Sequence, residues 1–140
     1  IGVAHRVAVH KLAKQLTLAL VGRAEVFSQQ PFTAFDDSEP EPDIVLAAPG
    51  DYATAHPDRA HLIVEVADTS LDYDRETKAP LYACSSVDEY WIVNLAQRVV
   101  EVYSEPVDGQ YAKRVVHKAG AVIAPCAFPD VRVEVGSLLP

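Results

Sequence analysis

Two short runs of apolar residues constrain the fold of this chain more than any other feature of its sequence. Residues 43–47 (DIVLA) and 61–66 (HLIVEV) each have the length of a β-strand, and their apolar residues are continuous instead of alternating with polar ones. Strands of this kind lie in the middle of a sheet that is covered on both faces. The sequence therefore predicts a central sheet with other elements packed against each side.

Two helices and several further strands complete the predicted fold. From residue 5 to about residue 21, apolar residues recur at spacings of three and four, which predicts a surface helix that ends at Gly22. Helical spacing returns over residues 74–84, where Pro80 either places the start of the helix near Thr77 or kinks a helix that begins near Asp74. Further strands are predicted over residues 24–27, 90–94, 99–103, 111–116 and 131–135. This order predicts a mixed α/β sandwich with one central sheet.

Length and composition indicate one ordinary globular domain. The 140 residues correspond to a single domain spanning residues 1–140, and 49% hydrophobic with 23% charged residues is a typical balance. The longest apolar runs are far shorter than the ~20 residues of a membrane helix, so no membrane segment or targeting signal is predicted. Because the chain begins at Ile1 and not at Met, we expect an N-terminal segment that belongs to the fold to be missing.

The negative charge is concentrated in one central stretch. The whole chain carries −8, whereas the stretch from Asp36 to Glu76 alone has twelve acids and two arginines. A net negative charge disfavours a protein that holds nucleic acid by electrostatics alone. A divalent cation bound in this stretch would reverse the sign of the field that a phosphate meets. For residues 36–41 considered alone, a solvated acidic loop is the preferred interpretation.

Neither the two cysteines nor the five histidines form a metal-ligand pattern. Cys84 and Cys126 have no CxxC spacing and are interpreted as small buried thiols of a reducing cytoplasm. No HExxH motif occurs, and His5 and His10 are five residues apart, so they do not share one helical face. A zinc site is not predicted.

Asp43, Glu65 and Lys78 are the candidate catalytic residues. Asp43 opens the first apolar run and Glu65 lies near the end of the second. Because neighbouring strands lie ~4.8 Å apart, both carboxylates are expected to reach one ion. Lys78 follows one short loop after Glu65, where a helix packed on the sheet would aim its ammonium at the two carboxylates. The alternatives are a structural ion pair for Glu65, a plain strand start for Asp43, and an exposed helical pair of Lys78 with Asp74.

The ordered set of short motifs resembles the Uma-two-type restriction endonuclease family over most of the chain. The motifs are PDIVL at residues 42–46, LIVEV at 62–66, YDR at 73–75 with Lys78, and DEYWIV at 88–93. The resemblance implies the PD-(D/E)XK nuclease superfamily, with a restriction-endonuclease-like α/β fold in which a central mixed sheet is flanked by helices. It also implies hydrolysis of DNA phosphodiester bonds with Mg²⁺, for which Mn²⁺ substitutes.

Carried over residue by residue, the resemblance assigns a role to each candidate. Asp43, Glu65 and the main-chain carbonyl of Val66 hold the Mg²⁺, and Lys78 orients the attacking water or stabilises the developing negative charge. The usual lysine of the superfamily follows the acid by two residues, where this chain has Ala67, so Lys78 is interpreted as its migrated substitute. The acid that related proteins carry in the N-terminal region has no match in the helix 5–21. A homodimer is expected, because it suits two-fold symmetric DNA sites.

A catalytically silent DNA-binding or protein-interaction module on the same scaffold is the alternative function. Ala67 and the acidic net charge favour it. Basic residues are few and are more often solvated than part of a phosphate-binding track. They are Arg6, Lys11 and Lys14 in the first helix, and Lys113, Arg114, His117 and Lys118 near the hairpin.

Overall fold

A six-stranded mixed sheet forms the centre of the computed structural model, which describes residues 2–140. Within these residues β3 and β4 pair in parallel, whereas the other neighbours in the sheet pair antiparallel. The strands follow one another in chain order: β1 (Glu25–Ser28), β2 (Ile44–Ala47), β3 (Leu62–Ala67), β4 (Glu89–Asn94), β5 (Val99–Val107) and β6 (Gln110–Lys118). A separate two-stranded sheet pairs β7 (Val122–Ile123) with β8 (Val133–Glu134).

Helical segments cover the sheet on both sides. The long helix α1 spans Val3–Ala19. A second helical stretch, named the site helix here, consists of α2 (Leu71–Tyr73), a π-helical turn (Asp74–Lys78) and α3 (Ala79–Ala83). A 3₁₀ helix at Val135–Leu138 follows β8. No helix within residues 2–140 has both the length and the apolar character that a membrane crossing requires.

Each face of the sheet buries its own apolar cluster. Leu62, Val64 and Trp91 point to the face that packs against the apolar side of α1, whereas Ile63 and Ile92 point to the face under the site helix. Successive strand residues point to opposite faces, so a strand with both faces covered needs apolar residues at consecutive positions. All residues of β2 and β3 are buried, which confirms the prediction from the two apolar runs.

The site helix begins earlier than predicted and is not a regular α-helix. It starts at Leu71 and continues through Pro80 to Ala83. Pro80 has no N–H to donate to the carbonyl of Glu76, and the five residues before α3 adopt the wider π turn. Of the two predicted arrangements, the continuous helix interrupted at proline is therefore the observed one.

Three details of the prediction are wrong. Strands β5 and β6 are both longer than predicted, because the hairpin extends to a turn at residues 108–109. The late strand predicted over residues 131–135 is reduced to Val133–Glu134, since the chain turns into the 3₁₀ helix at Val135. Cys84 and Cys126 are exposed free thiols, not buried ones, because Cys84 lies just beyond the end of α3 and Cys126 lies in the loop between β7 and β8.

Candidate active site

Asp43, Glu65 and Lys78 meet at one point beside the sheet. The main-chain N–H of Asp43 donates to Oε1 of Glu65 at 3.3 Å, and Nζ of Lys78 donates to Oε2 of Glu65 at 2.8 Å. The main-chain N–H of Val66 donates to Oδ2 of Asp43 at 2.8 Å. The two carboxyl groups and the ammonium group therefore share one small region of the protein.

The register of the strands explains this convergence. Strands β2 and β3 are antiparallel with Ile44 opposite Val64, so the next step of the register brings Asp43 beside Glu65. Glu65 lies opposite Ile92 of β4 and shares its face of the sheet, which is the face under the site helix. The π-helical turn lies across this face, and Lys78 at its end reaches back to Glu65.

Glu65 is a buried carboxyl group whose two oxygens both accept hydrogen bonds. Only 4% of the residue is exposed, and the hydroxyl of Tyr82 donates to Oε2 at 2.9 Å in addition to Lys78. Burial raises the pKa of Glu65 to about 7, because the positive charge of Lys78 opposes the cost of desolvation only in part. A carboxyl group with a pKa this far from its ordinary value is common at functional sites and also occurs in structural ion-pair networks.

Lys78 lies between two buried carboxyl groups. Its Nζ is 2.8 Å from Oε2 of Glu65 and 3.7 Å from Oδ1 of Asp74. Burial disfavours the ammonium form, but the two carboxylates outweigh this effect and raise the pKa of Lys78 above its ordinary value. Lys78 therefore carries a positive charge at neutral pH. Its pairing with Asp74 is part of the site and not an exposed helical ion pair.

His5 also contacts the site, although the sequence analysis did not identify it. Its Nε2 lies 3.1 Å from Oδ2 of Asp43, and its Nδ1 is buried without a hydrogen-bond partner in residues 2–140. His5 stands on the side of α1 that faces the sheet, four and seven residues before Val9 and Leu12. The sequence does contain an indication of this contact, because His5 is in phase with the apolar stripe of the predicted helix.

A surface cavity of about 410 Å³ lies beside residues that contact Asp43. His5 and Val66 line it, and both of these residues contact the Asp43 carboxylate. Its remaining lining consists of Gly2, Asp68, Thr69 and Ser70. The lining therefore places this cavity next to the two residues that hold the Asp43 carboxylate.

The donor atoms at this site suit a hard divalent cation that keeps much of its water. No group of three or more His, Cys, Asp or Glu side chains in residues 2–140 is arranged to hold a metal ion. Mg²⁺, however, is usually bound by one or two carboxylates together with water and substrate oxygens. Asp43 uses Oδ2 for its hydrogen bonds with His5 and Val66, which leaves Oδ1 for an ion. The residues present therefore suit an Mg²⁺ ion that has one or two carboxylate ligands from the protein and water as its other ligands.

Glu101 forms a second, separate network on the same face of the sheet. It lies opposite Ile92, in the same row as Glu65. Nε and Nη2 of Arg75 both donate to its carboxylate, and the hydroxyl of Tyr103 donates at 2.8 Å. Although burial alone would raise the pKa of Glu101, these hydrogen bonds lower it to about 2. Glu101 is thus fully paired, which is typical of a structural carboxylate.

Comparisons with known proteins identify the family and the fold. Residues 2–136 match the family model described as "Uma2: Putative restriction endonuclease". The crystal structure of a "putative nuclease belonging to DUF820" from Anabaena variabilis has a TM-score of 0.79 and 16% sequence identity, covering 99% of this chain and 81% of that chain. This likeness confirms the predicted restriction-endonuclease-like α/β fold. No curated protein has significant sequence similarity to the chain.

Proposed function

The chain belongs to the Uma2 family, and from this premise we propose that it is a metal-dependent endonuclease that hydrolyses DNA phosphodiester bonds. The observation that carries the proposal is that Glu65 accepts hydrogen bonds from both the Lys78 ammonium and the main chain of Asp43, beside the sheet. Two carboxylates and one ammonium group are a suitable set for binding a cation and acting on a phosphodiester.

The proposed ion is Mg²⁺, with Mn²⁺ as a substitute. Asp43, Glu65 and the main-chain carbonyl of Val66 would hold it. When bound, such an ion lowers the pKa of a water molecule and neutralises charge on the phosphate. To bind it, Glu65 must exchange at least one of its present hydrogen bonds for the ion.

Lys78 supplies the positive charge that the reaction needs on the protein side. Glu65 and Asp74 keep it protonated and hold its Nζ at the site. From this position the ammonium group donates to the attacking water or to the negative charge that develops on the phosphate. A charge fixed in place before the reaction costs no reorganisation during it.

His5 is proposed as a residue that positions Asp43. Donation from Nε2, together with the main-chain N–H of Val66, fixes Oδ2 and turns Oδ1 toward the ion. Partners of this kind orient carboxylate ligands at metal sites.

A catalytically silent module that binds DNA or another protein remains the second candidate function. One observation favours it: Lys78, Tyr82 and the main chain of Asp43 already occupy both oxygens of Glu65. A scaffold that had lost its ion could keep such a closed network as a structural feature. In both functions we propose a single domain that acts as a homodimer, which would present one site to each strand of a duplex.

Cleavage of supercoiled plasmid DNA tests the proposed function. We expect nicking by the wild-type protein in Mg²⁺ and none in excess EDTA. Asp43→Asn is expected to lower the rate at least about 100-fold, because it removes a negatively charged ligand of the ion. Asp130→Asn is the matched control, since Asp130 forms an exposed pair with Arg23 and should leave the rate unchanged.

Two results would contradict the proposal. Equal nicking by the wild-type protein and Asp43→Asn would assign the cleavage to a contaminant or to another site. DNA binding by the wild-type protein without nicking, in Mg²⁺ and in Mn²⁺, would favour the silent module.

Metal binding is expected to depend on pH through Glu65. Below its pKa of about 7 the carboxyl group carries a proton, which an incoming cation must displace. The affinity for Mn²⁺ should therefore rise about tenfold between pH 5.5 and 6.5 and level off above pH 7.5. Calorimetric titration over this range measures the effect. Glu65→Gln, which has no such proton, should bind weakly and without this rise; the same rise in Glu65→Gln would show that another group is responsible.

A further inference from the structure

We propose that the solvent-facing side of α1 is the surface that holds the backbone of the DNA next to the active site. This inference rests on the proposed function and specifies where the substrate lies. The surface, named the α1 basic face here, consists of four exposed residues, Arg6, His10, Lys11 and Lys14.

The charge of α1 differs from that of the chain as a whole. Residues 2–24 contain four basic side chains of lysine or arginine and no Asp or Glu, whereas the whole chain carries −8. Arg6, Lys11 and Lys14 form no ion pair with any residue in the described range 2–140. Their charges are therefore available to an anion from outside the chain.

The spacing of these residues forms a line along the helix. Arg6, His10 and Lys14 follow one another at intervals of four residues, so they lie on one side of α1. From Arg6 to Lys14 the helix rises ~12 Å. Duplex DNA rises ~3.4 Å per nucleotide of one strand along its axis, so a line of this length is long enough to contact more than one phosphate of a strand.

The α1 basic face begins next to His5 in the chain. Arg6 directly follows His5, whose imidazole contacts Asp43. A surface cavity also lies at this end of the helix, since Gly2 and His5 line it. A DNA backbone bound along α1 would therefore run toward the end of the helix whose His5 contacts Asp43.

The other basic surface of the chain, on β6, fits this role less well. Arg114 is already paired with the buried carboxylate of Glu101 at 3.3 Å. Strand β6 is three strands away from β3, which is ~14 Å across the sheet. Lys113 and Lys118 on β6 are exposed. Strand β6 has no residue that contacts Asp43 or Glu65 in the described range, whereas α1 contacts Asp43 through His5. Lys113 and Lys118 serve as the matched comparison.

DNA affinity as a function of salt concentration tests the inference. Fluorescence anisotropy with a labelled duplex and Ca²⁺ in place of Mg²⁺ gives the dissociation constant between 50 and 200 mM KCl, with the DNA checked by electrophoresis to be intact. Each lost phosphate contact lowers the slope of log K against log salt by about 0.9. Arg6→Gln/Lys14→Gln should therefore reduce the slope by about 2 and weaken binding roughly 10- to 100-fold at 100 mM.

The control variant Lys113→Gln/Lys118→Gln removes the same charge and should leave the slope within about 0.5 of the wild-type value. Glutamine is a good helix former, and thermal unfolding checks that α1 is intact. If the double variant on α1 unfolds, Lys14→Gln alone should lower the slope by about 1.

Three outcomes would overturn the inference. An unchanged slope in the α1 variant while the wild-type protein cleaves plasmid would refute this surface and leave the proposed function standing. An equal loss in the β6 variant would show that net charge, not the α1 basic face, determines binding. A wild-type protein that neither binds nor cleaves DNA would refute the proposed function together with this inference, and would leave an acidic protein as the partner for α1.

Discussion

Replacing Lys78 by methionine is expected to lower the rate of DNA cleavage roughly 10²- to 10³-fold. This is the usual loss when one preorganised group that stabilises the transition-state charge is removed. Methionine keeps much of the volume of the alkyl chain, so the packing of the site helix should persist. The rate is measured at saturating Mg²⁺ and at pH 9, which is above the pKa of about 7 that Glu65 has in the wild-type protein.

The accompanying change in metal binding distinguishes a catalytic role of Lys78 from a structural one. At pH 9 the affinity for Mn²⁺ should be kept or increased, because a positive charge next to the ion is removed while Glu65 and Asp43 remain. Near pH 7 the affinity should fall instead. Without Lys78, no ammonium group attracts the Glu65 carboxylate, so the pKa of Glu65 rises further above its present value of about 7. At pH 7 a larger fraction of Glu65 then carries a proton that the cation must displace.

Lys113→Met provides the control for Lys78→Met, since Lys113 is an exposed lysine on β6. It should retain the wild-type rate. A Lys78→Met protein with the wild-type rate, or one that has lost Mn²⁺ binding at pH 9, would show that Lys78 only maintains the structure around Glu65.

Replacing Arg75 by methionine is expected to lower the free energy of unfolding by about 3 kcal/mol. Glu101 is completely buried, and Arg75 forms two hydrogen bonds with it. Removing one partner of a buried ion pair leaves a charge without compensation, which costs far more than the net stabilisation that the pair provides. Arg114 and Tyr103 remain near Glu101 and limit the loss.

The pair of Arg23 with Asp130 is a matched control for this effect. It too has two hydrogen bonds from an arginine to a carboxylate, at 2.8 and 2.9 Å, but both side chains are largely exposed. Arg23→Met should therefore lower the free energy of unfolding far less than Arg75→Met does. Urea denaturation measures both variants. Equal losses in the two variants would contradict the argument from burial.

The core strands and the proximity of the two candidate carboxyl groups can be predicted from the sequence for one physical reason. Side chains alternate between the two faces of a sheet, so a continuous apolar run indicates a strand that is covered on both faces. A single acid within such a run is buried and therefore needs a partner. This argument predicts Asp43 and Glu65, whereas Lys78 is predicted from its position one short loop after Glu65; the structure brings the three residues together. Their roles in cleavage stay predictions.

Other features depend on contacts that no local pattern reports. The position of His5 at Asp43 arises from the packing of α1 on the sheet, between residues that are 38 apart in the chain. The exposure of Cys84 depends on where α3 ends, and the π-helical turn before Pro80 depends on how the site helix crosses the sheet. Tertiary packing determines each of these, so spacing along the sequence was not sufficient.

Titration of the metal-free protein with Mn²⁺ at pH 8 tests the central claim most directly. If Asp43 and Glu65 share one cation, calorimetry should give one ion per chain for the wild-type protein, and Asp43→Asn should bind at least tenfold more weakly. Asp130→Asn should bind as tightly as the wild-type protein. Equal affinities in the wild-type protein and Asp43→Asn, or no binding by the wild-type protein, would contradict the claim.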